Sequence, residues 1–139
     1  MVGIRTNRGK KLGEGGFTLV ELMIVMAIIM ILATIAIPIY VRTLQRAKEA
    51  TLREDLHTMR TAIDSYTIDK EKAPDALDDL VQAGYLKSIP VDPITSSSET
   101  WITSQSDTMT DLNETQGGMD DVHSGSQGLA SDGTSYNTW

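Results

Sequence analysis

Residues 22–41 carry no charge, and all but Thr34 and Pro38 among them are hydrophobic. As a helix rising ~1.5 Å per residue, this stretch is long enough to cross the ~30 Å hydrocarbon core of a bilayer. The pattern then changes without a break. Val41, Leu44, Lys48, Leu52, Leu56, Met59, Ile63 and Tyr66 recur at spacings of three and four, with Lys48 the one polar member. Arg42, Arg46, Glu49, Arg53, Glu54, Asp55, Arg60 and Asp64 fill the positions between them. Such spacing predicts a helix with one apolar face. A single helix from about residue 18 to about residue 68 follows, a rod of roughly 75 Å at the standard rise. Pro38 is its one breaker, expected to bend or loosen it, because proline lacks an N–H and crowds the preceding turn. Its missing bond is the one to the carbonyl of Thr34, which the Thr34 hydroxyl can partly offset.

Residues 70–74 interrupt the helix. Asp75 is placed to cap a second, short helix through Ala83, with Leu77 and Leu80 on one face and Gly84 at its end. Residues 85–93, with Pro90 and Pro93, read as extended chain and turns. Residues 99–105 and 119–124 are strand candidates, 106–118 a polar loop, and 125–139 irregular. The last segment looks disordered by composition. Tyr136 and Trp139 argue that it packs, because about seventy residues after the rod make a marginal core on their own. The fold class is α+β: one long N-terminal helix, transmembrane then amphipathic, against a short helix, a small antiparallel sheet and an irregular C-terminal loop.

Charge changes the picture at the N-terminus. Arg5, Arg8, Lys10 and Lys11 precede the apolar run, with Glu14 the one acid before residue 17. The run is longer than the ~7–15-residue core of a secretory signal, and no Ala-x-Ala site follows it. A basic leader stays cytoplasmic by the positive-inside rule, which sends the C-terminus outward. The organisation expected is a leader at 1–16, a membrane or core helix at 17–41, and an exported domain at 42–139. Of 12 Lys and Arg, four lie in the leader, and of 19 Asp and Glu, one does. The rest therefore carries 8 basic and 18 acidic residues, a net charge of −10, which argues against a nucleic-acid partner. There is no cysteine, so no disulfide holds the C-terminal segment.

The junction itself is the strongest signal. Gly15-Gly16-Phe17-Thr18-Leu19-Val20-Glu21 places a lone carboxylate at the edge of the apolar run, and an ionisable group there is a functional-site hypothesis. This junction closely resembles that of type IV pilins and of the pseudopilins of type II secretion systems. The resemblance implies cleavage by a prepilin peptidase between Gly16 and Phe17, and methylation of the new N-terminus at Phe17. It also implies an assembly role for Glu21. An α-amine has an ordinary pKa of ~7.7–8.0 and is mostly cationic near neutral pH. The Phe17 amine of one subunit can therefore pair with Glu21 of its neighbour.

A second resemblance covers Asp78-Asp79-Leu80-Val81-Gln82-Ala83-Gly84-Tyr85-Leu86, Ile89-Pro90-Val91-Asp92-Pro93 and the closing stretches 121–126 and 132–134. These are similar to the major, G-type pseudopilin. That likeness implies a subunit of a helical homopolymer in the bacterial inner membrane and periplasm. It implies the peptidase, an inner-membrane assembly platform and minor pseudopilins as partners. It further implies that the helix loosens at about residues 30–38 on assembly, and that Ca2+ is a possible cofactor of the C-terminal loop. Asp132 falls near a family ligand position, Gln127-Gly128 stands where another carboxylate would, and Asp120 and Asp121 are nearby.

Nothing suggests an enzyme. His57 and His123 have no partner at metal-ligand spacing. Ser124-Gly125-Ser126 lacks the strand-turn-helix setting of a nucleophile elbow. Met23, Met26 and Met30 read as flexible packing. The leading expectation is a structural subunit of a secretion pseudopilus. The rivals are a type IV pilus subunit for adhesion, motility or DNA uptake, and a monomeric membrane-tethered binding module.

Overall fold

The structure, a computed structural model, describes residues 2–3, 15–105 and 118–139. The chain divides into two units, Met1–Ile39 and Tyr40–Trp139. The predicted loop at 106–118 lies outside the described residues except for Gly118.

The first unit holds the start of α1 (Leu19–Lys70). Thr18 begins it: its carbonyl takes the first helical bond, from the Leu22 N–H at 3.1 Å. Its hydroxyl accepts the Glu21 N–H at 3.1 Å. That is an N-cap, satisfying one of the donors a helix start leaves free. None of the most apolar window of α1 is buried within the molecule. Helix α1 runs unbroken through Pro38. The Thr34 hydroxyl donates to the Met30 carbonyl at 2.8 Å, one turn upstream.

The second unit is built on the remainder of α1. Leu52, Leu56, Met59, Ala62 and Ile63 are buried there. They meet Leu77 and Leu80 of α2 (Leu77–Gln82), Leu86, Trp101, Met119, Val122, Ala130 and Tyr136 in one core. Each large aliphatic side chain fully buried this way contributes ~1.5–3 kcal/mol. The predicted stripe needs correction at its beginning. Val41 and Leu44 are exposed, as is Lys48, and the buried side chain in that turn is Glu49. The inward face therefore runs Gln45, Glu49, Leu52, Leu56, Met59, Ile63, and Lys48 does not interrupt it.

Helix α2 is capped differently from the expectation. Asp75 is not the capping side chain. Asp79, inside the first turn, reaches back and accepts the N–H groups of Asp75 and Ala76, both at 3.0 Å. The C-terminal end is as predicted. Gly84 takes a φ of +84°, Tyr85 N–H bonds the Leu80 carbonyl at 2.9 Å, and Gly84 N–H bonds that of Val81 at 3.2 Å. This pair of bonds closes the last turn and needs a left-handed residue, which glycine supplies without strain.

Strands β1 (Trp101–Gln105) and β2 (Met119–Ser124) pair antiparallel, with Trp101 opposite Ser124 and Ile102 opposite His123. Gly125, immediately after β2, passes so close to β1 that an added Cβ would lie 2.1 Å from the Thr100 carbonyl oxygen. The turn before β1 is organised by Asp92, which is fully buried. Its carboxylate accepts the N–H of Ile94 at 2.8 Å and the Ser124 hydroxyl, tying the turn to β2. Residues 125–139 are irregular but packed, ending in a 3₁₀ turn at Tyr136–Thr138.

Candidate functional site

Two places in the chain concentrate polar chemistry on otherwise apolar elements. The first is the start of α1. Gly15 and Gly16 have nothing within 4 Å of where a side chain would stand, and Phe17 is 81% exposed. The Gly16–Phe17 bond thus lies outside any helix or strand, directly before a capped helix. Glu21 is the acid of that helix's first turn, where the helix dipole favours a negative charge. Its side chain is exposed and has no partner among the described residues. Thr18 had a signal in the sequence that the pattern of apolar residues hides. Thr18-Leu19-Val20-Glu21 matches the Thr-x-x-Glu capping box, and half of that box forms. The glutamate is therefore held one turn from the junction.

The second place is the contact of residues 125–139 with α1. Glu49 is 6% exposed, and donors converge on it. Ser131 gives its N–H at 2.7 Å to one carboxylate oxygen and its hydroxyl to the other. The Tyr136 hydroxyl donates at 2.9 Å, and Gln45 Nε2 at 3.1 Å. Burial alone would push the Glu49 pKa up. The bonds from Ser131, Tyr136 and Gln45 outweigh it and hold the pKa below its usual value. Sequence reading set Glu49 among the solvent-facing charges. The spacing 45, 49, 52, 56 was the signal that could have found it.

Arg60 is the other anchor. Its guanidinium donates to Asp121 at 2.6 Å, to the Val122 carbonyl at 3.0 Å and to the Trp139 carbonyl oxygen at 2.8 Å. One residue type thereby joins α1, β2 and the end of the segment. Two turns earlier, Arg53 donates to Asp132 at 3.3 Å and lies 4.2 Å over the Trp139 ring. Trp139 packs edge-on against Tyr136 and gives its indole N–H to Thr134 at 2.7 Å. Arg53, Leu56, His57, Arg60 and Trp139 line an open cleft of about 330 Å³.

The carboxylates expected as calcium ligands are not brought together. Asp121 is held by Arg60, with His123 at 3.3 Å from its second oxygen. Asp132 accepts the N–H and hydroxyl of Thr134 at 2.9 and 2.6 Å, besides Arg53. Those Thr134 bonds are the main reason its pKa is lowered. Asp120 is exposed. The anchoring arginines are seven positions apart, ~10 Å along a helix. Calcium asks for six to eight oxygens around one point. Among the described residues, no three or more His, Cys, Asp or Glu side chains form such a group. Among the described residues, Asp120, Asp121 and Asp132 do not gather into a calcium cage.

Comparison with known proteins bears on both units. The family described as the prokaryotic N-terminal methylation motif matches residues 12–37. The chain is 35% identical over 74 residues to the competence protein ComGC of Halalkalibacterium halodurans, covering 53% of this chain and 72% of that one. It is 32% identical over 96 residues to the type II secretion system core protein G of Pseudomonas aeruginosa, covering 58% and 68%. It is 48% identical over 60 residues to the type IV major fimbrial protein FimA of Dichelobacter nodosus, covering 43% of this chain but only 38% of that relative's length. No solved structure matches it. With the open glycine junction, the capped apolar helix and the small α+β unit around its continuation, these relationships place the chain in the type IV pilin-like family.

Proposed function

We propose that the chain is a filament subunit made as a membrane-inserted precursor. A prepilin peptidase cuts between Gly16 and Phe17, the Phe17 amine is methylated, and the basic leader remains on the cytoplasmic side. The observation that carries this reading is the carboxylate of Glu21, without a partner among the described residues, beside a long, wholly unburied apolar helix surface. A soluble protein does not leave so much apolar surface bare. In the membrane lipid covers it, and in a filament neighbouring helices do. Glu21 then finds the Phe17 amine of the adjacent subunit. Removing one partner of a buried ion pair costs ~3–5 kcal/mol, enough to dictate axial register. Repeating one head-to-tail contact that does not close gives a helical homopolymer.

We assign the filament to a type II secretion pseudopilus, with the outer unit in the periplasm and an inner-membrane platform and minor pseudopilins as partners. The match to core protein G extends over more of this chain than the fimbrial match does, 58% against 43%, which favours secretion. A type IV pilus is the second reading, favoured by the higher identity to FimA. Mass spectrometry tests the processing: the mature chain begins at methylated Phe17, and one that begins at Met1 refutes it. Glu21→Ala should be inserted and trimmed yet fail to polymerise. Filaments at normal yield from that variant would remove the ion pair from the account, while a wild type that crosslinks on cells only as a monomer would favour a membrane-tethered binding module. Deleting the gene should abolish protein export; loss of surface pili with export intact would select the pilus.

A further inference from the structure

Residues 125–139 are held to the unit by neither of the usual external staples. The chain has no cysteine, and among the described residues the carboxylates do not gather around a point. What does converge is a set of donors. The N–H and hydroxyl of Ser131 and the hydroxyl of Tyr136, with Gln45 from α1, all point at the carboxylate of Glu49. A cation site presents acceptors to a central positive charge. This site is the inverse, with segment donors wrapped around a central negative charge that α1 supplies.

We propose that Glu49 is the built-in counter-ion of this segment, and that it fastens the segment to α1 without any divalent cation. Three features support the assignment. Glu49 is the buried acid on the inward face of α1, at a position the core spacing reserves for an apolar residue. A carboxylate there is tolerable only if donors replace its water, and both of its oxygens receive a bond from Ser131. The donors come from 82 and 87 residues further along the chain, so the contact closes the whole unit rather than a local turn. Two of the acids expected as cation ligands pair with arginines instead: Asp132 with Arg53 and Asp121 with Arg60. One side chain on α1 does the work that sulfur or metal chemistry would otherwise do.

The test uses the full chain in detergent micelles. Near-ultraviolet circular dichroism of Trp101 and Trp139 follows melting in millimolar calcium chloride and, separately, in excess chelator. Hydrogen exchange of the Ser131 amide follows the anchor itself. The wild type should melt at the same temperature in both solutions. Glu49→Gln should lower the melting temperature by roughly 10 °C, on the scale expected for charged bonds lost in a domain of this size. Calcium should not restore it. Ser131 should lose protection while the Leu56 and Met59 amides keep theirs. Should Glu49→Gln fail to fold, Tyr136→Phe keeps the packed ring and removes one donor, and a drop of several degrees, equal in calcium and chelator, is expected. A wild type stabilised by calcium, or a Glu49→Gln or Tyr136→Phe variant melting like wild type, overturns the proposal.

Discussion

Replacing Arg60 with methionine keeps most of the aliphatic stem and removes its bonds to Asp121, Val122 and Trp139, besides a long contact to His123 at 3.5 Å. Their worth can be worked from exposure. The Arg60 and Asp121 side chains are 36% and 38% exposed. An ion pair this open contributes ~0–1 kcal/mol. The bonds to the Val122 and Trp139 carbonyls are part-buried, with a charged donor. Bonds of that kind reach ~1.5–3 kcal/mol when fully buried, and partial access for water brings each nearer ~1 kcal/mol. The sum is ~2–3 kcal/mol, or roughly 10–20 °C in melting temperature for a unit of this size. Most of it belongs to the two carbonyls and little to Asp121. Thermal melts of Arg60→Met, Asp121→Asn and the double variant separate the two contributions. Arg60→Met should cost nearly as much in the Asp121→Asn background as alone. If its effect vanishes there, the ion pair is the real anchor and the reasoning from exposure fails. A loss below ~0.5 kcal/mol would show that water replaces Arg60 at little cost, which is the usual outcome for a surface substitution.

Acid should loosen the same region. Glu49, Asp121 and Asp132 have folded pKa values below their unfolded ones. For Glu49 and Asp121, burial opposes the shift and hydrogen bonds outweigh it; for Asp132, Thr134 is the main cause. Their stabilisation is present above the ordinary carboxylate range and is lost as pH falls below ~4. Asp55, raised by burial and by Asp92, has the opposite sign and only softens the decline. A melting temperature that climbs between pH 5 and pH 3 would contradict this. Gly125→Ala should lower the urea midpoint by ~1–3 kcal/mol equivalent, because its Cβ would meet the Thr100 backbone; an unchanged midpoint refutes the close approach. In an assembled filament, residues 30–38 are expected to lose helix next to Pro38. Density showing unbroken helix over 34–42 would exclude that.

Elements set by short-range periodicity were readable from the residues alone. The three-and-four spacing along α1, the glycine that closes α2 and the strand candidate at 119–124 are each local, and each is found. The errors share a cause. Glu49, Arg60 and Asp92 are charged residues whose roles depend on partners 32 to 87 positions away. Composition near them says only "polar helix" or "turn". In the stripe, Lys48 and Glu49 are neighbours, so a reading that follows residue type without tracking phase attaches the wrong one to the core. Asp75 failed in the same way: Asp75, Asp78 and Asp79 flank the start of α2, and only geometry shows that the last of them reaches back. At the N-terminus the opposite holds. Gly16, Phe17 and Glu21 stand in a purely local motif, which is why the N-terminal methylation family matches over residues 12–37.

The distance between Glu49 and Tyr136 has a bearing on how the protein is born. A ribosome adding ~5–20 residues per second completes α1 well before the chain that covers it. The 87 residues separating Glu49 from Tyr136 take about 4–17 s to appear. Through that interval Leu52, Leu56, Met59 and Ile63 have only part of their cover: Leu77, Leu80 and Leu86 follow soon, whereas Met119, Val122, Ala130 and Tyr136 come late. A nascent chain of this design is exposed longest at its own centre. Its vulnerability during synthesis is set by the arrival of the last dozen residues, and truncations there should be cleared by quality control rather than accumulate as shortened subunits.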